Sequence, residues 1–338
     1  MIRIRAGRGG FVMIIGAFFI FLILSGAIQF ALASAKNTFP ANRITWIVPG
    51  KAGGGFDLTA RCIAPYLSMH LKELAKGVTG GDIMIKNEEQ AGGRRAYSNI
   101  FHARPDGYTI GYFHSAFVTD NITSEIEFDC STYAFLVRAG VSSAVILTRK
   151  DMFKTWGDMM KAGREKELKW ACGAFSRGGH VTGILTREVA KVPARLVNFP
   201  GNAENMNALL RGDVHLAVVT EEAARPMIAS GEVRALTILS QKSQYPGVPS
   251  IAELGYPELI EASQVHRMVI GPPSLSKEIR DIYIAAFRKV FNNKDFLLQA
   301  KKMDFEPDPV YGDDAERLAK KLFKYYDEKT PVLKKYLQ

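Results

Sequence analysis

The stretch that decides the fold lies near the start of the chain and reads ITWIVPGKAGGGFD, from Ile44 to Asp57. It opens with apolar and β-branched residues, which predict a buried β-strand. Pro49 and a cluster of glycines end that strand, and a helical pattern begins at Asp57. Glycine lets a backbone approach a ligand closely, and the N–H groups of a first helical turn point toward it. The stretch therefore predicts the floor of a cleft that binds an anion.

Two nucleotide-binding loops also contain glycines, and neither fits this stretch. A phosphate-binding P-loop needs Lys and Ser or Thr after its glycines, whereas Lys51 precedes them here. A dinucleotide fingerprint needs the spacing G-x-G-x-x-G, and Leu58 occupies the third place after Gly53 and Gly55. Taken alone, this loop fits a tight turn that binds no ligand as well as it fits an anion site. The choice between the two depends on the rest of the sequence.

The first part of the chain, residues 1–35, has the features of a secretory signal peptide. Basic residues at Arg3, Arg5 and Arg8 precede the apolar run Phe11–Leu24, and an Ala-Ser-Ala cleavage signature ends at Ala35. The apolar run is shorter than a membrane-spanning helix requires. We expect cleavage and a periplasmic protein, with an uncleaved membrane anchor as the alternative.

The charge of the chain favours small anions over nucleic acid as ligands. The formal net charge is +10 over 338 residues, and the basic residues are spread along the sequence except in a Lys-rich C-terminal helix. No basic stripe carries interleaved aromatic residues, and export argues against a nucleic-acid partner. A modest positive field helps to attract anionic ligands.

The histidines and cysteines predict no metal site, and we expect no cofactor. The six histidines show no metal-ligand spacing, and only His180, at a predicted helix start, is a candidate site residue. Cys62, Cys130 and Cys172 are an odd number, so one disulfide at most could form. We expect no obligatory disulfide, with Cys62 and Cys172 buried as small hydrophobic residues.

The order of predicted elements is that of an α/β protein. Short strands follow at Asp82–Asn87 and Tyr108–Phe113 with a helix between them, an order that implies a parallel sheet. A second unit of the same kind has the strand Leu168–Cys172, the loop Gly173–His180 and then a helix. Ligands of open parallel sheets bind at the carboxyl ends of strands. Two such loops facing each other would form a two-lobed clamp around one anion.

Several short stretches, in this order and spacing, resemble the solute receptors of tripartite tricarboxylate transporters, the Bug family. These stretches are Ile47–Pro49, Gly53–Arg61, Pro105–Ile110, Gly231–Leu236, Pro249–Gly255 and Gly271–Pro273. The resemblance implies a type II periplasmic-binding-protein fold, in which two α/β lobes with mainly parallel sheets are joined by two crossovers. We place residues 36–138 and 256–338 in the first lobe and residues 139–255 in the second, with the first crossing between two apolar runs within residues 133–149.

The resemblance also implies a function. Such receptors capture a small organic carboxylate between their lobes and hand it to membrane permease subunits, and they are not enzymes. We expect a monomer. A ligand-sensing adaptor for a membrane sensor kinase is the alternative, and a secreted α/β hydrolase is a weaker one, because the sequence offers no Ser, base and acid constellation.

Carried over to this sequence, the family's two loops and the neighbouring strand ends supply the candidate ligand-binding residues. These residues are Gly53, Gly54, Gly55, Phe56, Asp57, His114, Ser115, Ala174, Phe175, Ser176, Arg177, His180 and Thr220. The loops would hold the ligand carboxylate through backbone N–H groups, hydroxyls and bridging water.

Three of these side chains have a separate physical interpretation. Asp57 would repel an anionic ligand, so we expect it to cap the N–H groups of its own helix and to make the loop rigid. Arg177 could pair with a second ligand carboxylate, or it could be a solvated residue at the rim. Phe175 could stack on an apolar part of the ligand or close the lid over it.

Overall fold

The computed structural model describes residues 39–75, 79–114, 117, 119–120 and 126–337. The predicted signal peptide, residues 1–35, and the candidate site residue Ser115 lie outside these described residues. Within them, none of the helices combines the length and the apolar character that crossing a bilayer requires.

The described chain consists of two β-sheets and the helices packed on them. The strands are β1 (Ile44–Val48), β2 (Ile83–Asn87), β3 (Thr109–Phe113), β4 (Ala134–Ser142), β5 (Ala144–Arg149), β6 (Leu168–Cys172), β7 (Ala194–Val197), β8 (Leu216–Thr220), β9 (Val233–Ile238), β10 (Val265–Gly271) and β11 (Pro307–Tyr311). The helices are α1 (Gly55–Leu74), α2 (Arg94–Phe101), α3 (Trp156–Glu165), α4 (Gly178–Val189), α5 (Asn202–Arg211), α6 (Glu221–Ser230), α7 (Ile260–Ser263), α8 (Lys277–Asn292), α9 (Lys294–Lys302) and α10 (Gly312–Leu337).

The first sheet has the strand order β11-β4-β10-β3-β1-β2. Strand β1 is parallel to both β2 and β3, so β1, α1, β2, α2 and β3 form the predicted βαβ units. Strand β10 runs antiparallel to β3 and β4, and β11 runs antiparallel to β4. This sheet is mixed rather than mainly parallel, because β10 carries the chain back from the second lobe.

The second sheet has the strand order β7-β6-β8-β5-β9. Strand β6 is parallel to β7 and β8, whereas β5, which enters from the first sheet, is antiparallel to β8 and β9. The chain passes between the sheets twice, from β4 to β5 and from β9 to β10. The predicted α/β class with two lobes and two crossovers is therefore confirmed, with mixed sheets in both lobes.

The first lobe has a core between its sheet and helices α1 and α8. Trp46 of β1 is fully buried there, with ring centroids 5.1 Å from Tyr112 and 6.3 Å from Phe287. Helix α1 contributes Ile63 and Leu67, which lie one helical turn apart on its buried face. This packing fixes the direction in which β1 delivers the chain to the first glycine loop.

The second lobe has its own core, and the C-terminal helix contacts both. Trp170 of β6 is fully buried among residues that include Ile184 of α4. In α10, Leu322 packs into a first-lobe cluster, whereas Leu333 packs into the second-lobe core. We propose a domain division that follows the two sheets, with α10 shared between the lobes.

Candidate functional site

A cleft of about 420 Å³ lies between the two sheets and is lined by both lobes. The first lobe contributes the N-terminus of α1 and the ends of β3 and β10, and the second lobe contributes the N-termini of α4 and α5 and the end of β8. Among the described lining residues the charged side chains are arginines, and no Asp or Glu lines the cleft. Its electrostatic character therefore suits an anion.

The first glycine loop forms the floor of the cleft on the first lobe. Gly53 has a φ of +79°, in the left-handed region that favours glycine, and Gly54 is the N-cap of α1. Helix geometry leaves the first N–H groups of α1 without a carbonyl partner in the helix, and Gly55 and Phe56 line the cleft. The loop thus presents backbone donors and the positive end of the helix dipole to a bound group.

Asp57 is buried and stabilises this loop. Its Oδ2 accepts the N–H of Gly53 at 2.8 Å and lies 3.0 Å from Nε of Arg61. Burial alone would raise its pKa, but hydrogen bonds from Arg61 and Gly53 outweigh burial and lower the pKa. The expectation that Asp57 caps N–H groups of its own helix is wrong, because its carboxylate reaches back to a residue that precedes the helix. An anionic ligand therefore does not face an unpaired carboxylate.

The second glycine loop forms the opposite side of the cleft. Ser176 adopts a φ of +59°, which is unusual for a residue with a side chain, and its N–H donates to Nδ1 of His180 at 3.1 Å. The side-chain amide of Asn198 donates to the carbonyl of Gly173 at 3.0 Å. These two contacts hold the loop so that the first turn of α4, at Gly178, faces the cleft.

The imidazole of His180 has to be neutral for this loop to keep its shape, because its Nδ1 accepts a hydrogen bond. Burial lowers the pKa of His180 from 6.5 to about 4. Its contribution to stability is therefore complete above pH 6.5 and is lost as the pH falls toward 4, where the unfolded chain binds the proton more tightly.

We expect the free energy of unfolding to fall between pH 6.5 and pH 4 with a slope that includes about 1.4 kcal/mol per pH unit from His180. In the variant His180→Gln, the side-chain carbonyl can still accept a hydrogen bond but does not titrate. The slope should therefore decrease by about 1.4 kcal/mol per pH unit, the contribution of one proton. Denaturant unfolding at several pH values measures it. An unchanged slope in the variant would contradict the prediction.

The N-terminus of α5 is a third helix start at the cleft, and none of the predicted site residues belongs to it. The side-chain amide of Asn202 donates to Oγ1 of Thr220 at 3.0 Å. Asn205 is buried, and its Oδ1 has no partner among the described residues. The sequence did contain a signal, because Pro200 and Gly201 stand just before a helix, as the glycines of the two recognised loops do.

Arg177, the N-cap of α4, reaches from the second lobe to the first. Its Nη1 donates to both carboxylate oxygens of Asp120, at 2.7 and 3.0 Å, and its Nη2 donates to the carbonyl of Ala91 at 3.1 Å. Asp120 is only 1% exposed. We call these three residues the interlobe latch. The sequence leaves Arg177 as either a ligand contact or a solvated rim residue, whereas the structure shows an ion pair between the lobes.

A glycine in the first lobe leaves space for the side chain of Arg177 in the interlobe latch. A Cβ atom at Gly92, whose φ is +64°, would lie 2.0 Å from Nη2 of Arg177. The guanidinium therefore packs directly on the Gly92 backbone, which a larger residue would prevent.

His114 lies at the end of β3 and lines the cleft. Burial, together with the charges of Arg177 and Arg267, lowers its pKa to about 4. Near neutral pH the imidazole is therefore uncharged, and the positive charge of the cleft comes from the two arginines.

The structure brings about half of the predicted site residues to the cleft surface. Those lining it are Gly55, Phe56, His114, Ala174, Arg177 and Thr220. Those in the same loops that do not line it are Gly53, Gly54, Asp57, Phe175, Ser176 and His180. The Phe175 side chain is 53% exposed, and its ring lies 5.2 Å from that of His180, so it covers the outer side of the loop.

The lining residues outside the predicted set come mainly from distant parts of the chain. They include Ala144, Thr182, Asn202, Asn205, Ser263, Gln264 and Arg267. Most of them follow no glycine loop, and their local sequence carries no signal for a binding site.

Two lobes that close a cleft lined by helix N-termini define the class of two-lobed periplasmic binding proteins. The particular family follows from sequence comparison: the profile described as "Tripartite tricarboxylate transporter family receptor" matches residues 69–335. The chain belongs to this family, whose members are receptors and not enzymes.

Individual relatives have only distant sequence similarity to this chain. BugT of Bordetella pertussis is 26% identical over 238 residues, which cover 67% of this chain and 70% of BugT. Across the curated relatives that it matches, the chain spans between 66% and 73% of their length. Among solved structures, the periplasmic binding protein BugD has a TM-score of 0.70 at 21% identity and covers 88% of this chain and 98% of its own.

A second solved structure, MatC from Rhodopseudomonas palustris with bound malate, has a TM-score of 0.68 at 22% identity and covers 87% of this chain and 99% of its own. At these identities the likeness establishes the fold.

Proposed function

We propose that this protein is an extracytoplasmic receptor that captures a small organic carboxylate between its lobes. The single observation that carries the proposal is the convergence of three helix N-termini, those of α1, α4 and α5, on one cleft whose described lining residues include no Asp or Glu. Backbone donors and helix dipoles of this kind bind anions. The malate bound by MatC is consistent with a carboxylate as the anion.

The proposed mechanism is closure of the lobes around the ligand. Closure removes water from the cleft, which strengthens the few polar contacts because the local dielectric constant falls. The interlobe latch stabilises the closed arrangement, since its donors lie on the second lobe and its acceptors on the first.

The location and the partners of the receptor are part of the same proposal. Export by the signal peptide at residues 1–35 would place it in the periplasm, where it delivers its ligand to the membrane subunits of a tripartite tricarboxylate-type transporter. Membership of the receptor family supports this arrangement.

Isothermal titration calorimetry of the purified protein against succinate, malate, adipate, citrate, glutamate and benzoate tests the proposal. We expect at least one acid to bind with micromolar or tighter affinity, about −8 kcal/mol. Small-angle scattering should show a smaller radius of gyration with that acid. Failure of every acid to bind would contradict the proposed function.

A further inference from the structure

A buried arginine on the first-lobe wall of the cleft has no role in the two glycine loops. Arg267 belongs to β10, is 7% exposed and lines the cleft. Its guanidinium faces the first loop, since a Cβ atom at Gly55 would lie 3.7 Å from its Nη2. On another side its Cζ lies 5.9 Å from the ring of Phe305. The charge is therefore held between an aromatic ring and the cleft floor.

The hydrogen bonds of Arg267 leave part of its donor capacity unused. Its Nη1 donates to Oγ of Ser142, and its Nη2 donates to Oε1 of Glu222 at 3.3 Å. Ser142 donates to that same Oε1, so one carboxylate oxygen serves both groups. The Nε–H of Arg267 is buried and has no partner among the described residues. A guanidinium carries five N–H donors, and a buried donor without a partner is costly.

The other arginine of the cleft differs from Arg267 in its hydrogen bonding. Arg177 is engaged by both oxygens of Asp120 and by a backbone carbonyl. Glu222, the partner of Arg267, is 28% exposed in its side chain and does not line the cleft. Among the described residues that line the cleft, Arg267 is therefore a cation whose N–H donors are only partly matched by the protein, although Glu222 offsets its charge.

We propose that Arg267 is a ligand-binding residue that takes a second acidic group, so that the cleft selects compounds with two acidic groups over those with one. The inference rests on the proposed function: one carboxylate lies on the backbone donors of the loops, and the other pairs with the guanidinium. A carboxylate matches the planar donor geometry of arginine. A ligand with one acidic group leaves the buried donors of Arg267 unmatched.

The test is calorimetry at pH 7.5 with succinate, glutarate and adipate, each compared with its monoamide, which has the same length and one charge fewer. In the unsubstituted protein we expect the best diacid to bind at least tenfold more tightly than its monoamide. Arg267→Met should abolish this preference, mainly by weakening the diacid.

Two further variants keep the test decisive. Arg138→Met removes a partly buried arginine from the neighbouring strand β4 that pairs with Asp308 and does not line the cleft, so the diacid preference should persist. Glu222→Gln keeps Arg267 but removes its counter-charge, and the preference should increase. This variant decides the matter if Arg267→Met does not fold.

The outcomes separate the two proposals. Equal binding of diacids and monoamides by the unsubstituted protein, or an unchanged preference in Arg267→Met, would overturn the role of Arg267 while the carboxylate receptor stands. An unchanged or smaller preference in Glu222→Gln would also overturn it. If none of these compounds nor any acid of the larger panel binds, the proposed function and the role of Arg267 both fail.

Discussion

Replacing Arg177 with alanine should weaken binding of the carboxylate by about a hundredfold, or roughly 3 kcal/mol. Asp120 is buried in this structure, and the substitution removes the guanidinium that contacts both of its oxygens. Burial already raises the pKa of Asp120 despite the nearby charges of Arg177 and Arg94. Opening the lobes would return Asp120 to water, so the loss should appear as a weaker closed state.

Calorimetry and stopped-flow dissociation measure this effect, which should lie mainly in a faster dissociation rate. Arg195→Ala is the matched control, because that arginine pairs with Glu167 inside the second lobe and should not change the affinity. Gly92→Ala tests the interlobe latch by a change in the first lobe, since the added methyl group would overlap the Arg177 guanidinium. Unchanged affinity in Arg177→Ala would refute the latch.

Replacing Trp46 with alanine should lower the free energy of unfolding by about 3–5 kcal/mol. The indole is fully buried in β1 between Tyr112 and Phe287, so its removal leaves a cavity in the centre of the first-lobe core. Because β1 leads directly into the first glycine loop, ligand binding should weaken as well. Urea unfolding followed by circular dichroism measures the change in stability.

Trp46→Phe is the control for this prediction. It keeps an aromatic ring in the core and removes an indole N–H that has no partner among the described residues, so it should cost less than half as much. A loss below about 1 kcal/mol in Trp46→Ala would show that the core closes around the cavity, contrary to the expectation.

Some of the candidate site was visible in the sequence because it is built from local patterns. The strand that contains Trp46 and the glycines after it specify a strand, a loop and a helix start within a few residues, and the loop before His180 repeats the pattern. Helix N-termini bind anions wherever they occur, so the chemical class of ligand could be predicted before the fold. The hydrogen-bond partner of Asp57 could not be predicted, because the N–H groups of its own helix and those of the preceding loop were both within reach of its carboxylate.

By itself, the sequence determined the α/β class and the two glycine loops, and it predicted an anionic ligand, since each depends on residues close together in the chain. The tertiary structure decided which charges are already paired. Arg177 meets Asp120 across 57 residues, and Arg267 meets Ser142 across 125. Such pairs leave no periodic or local signal, because they form only when the lobes and the two crossovers bring distant strands and loops together. The physical reason is that a charged side chain can bind a ligand only with the donors that folding has left without a partner.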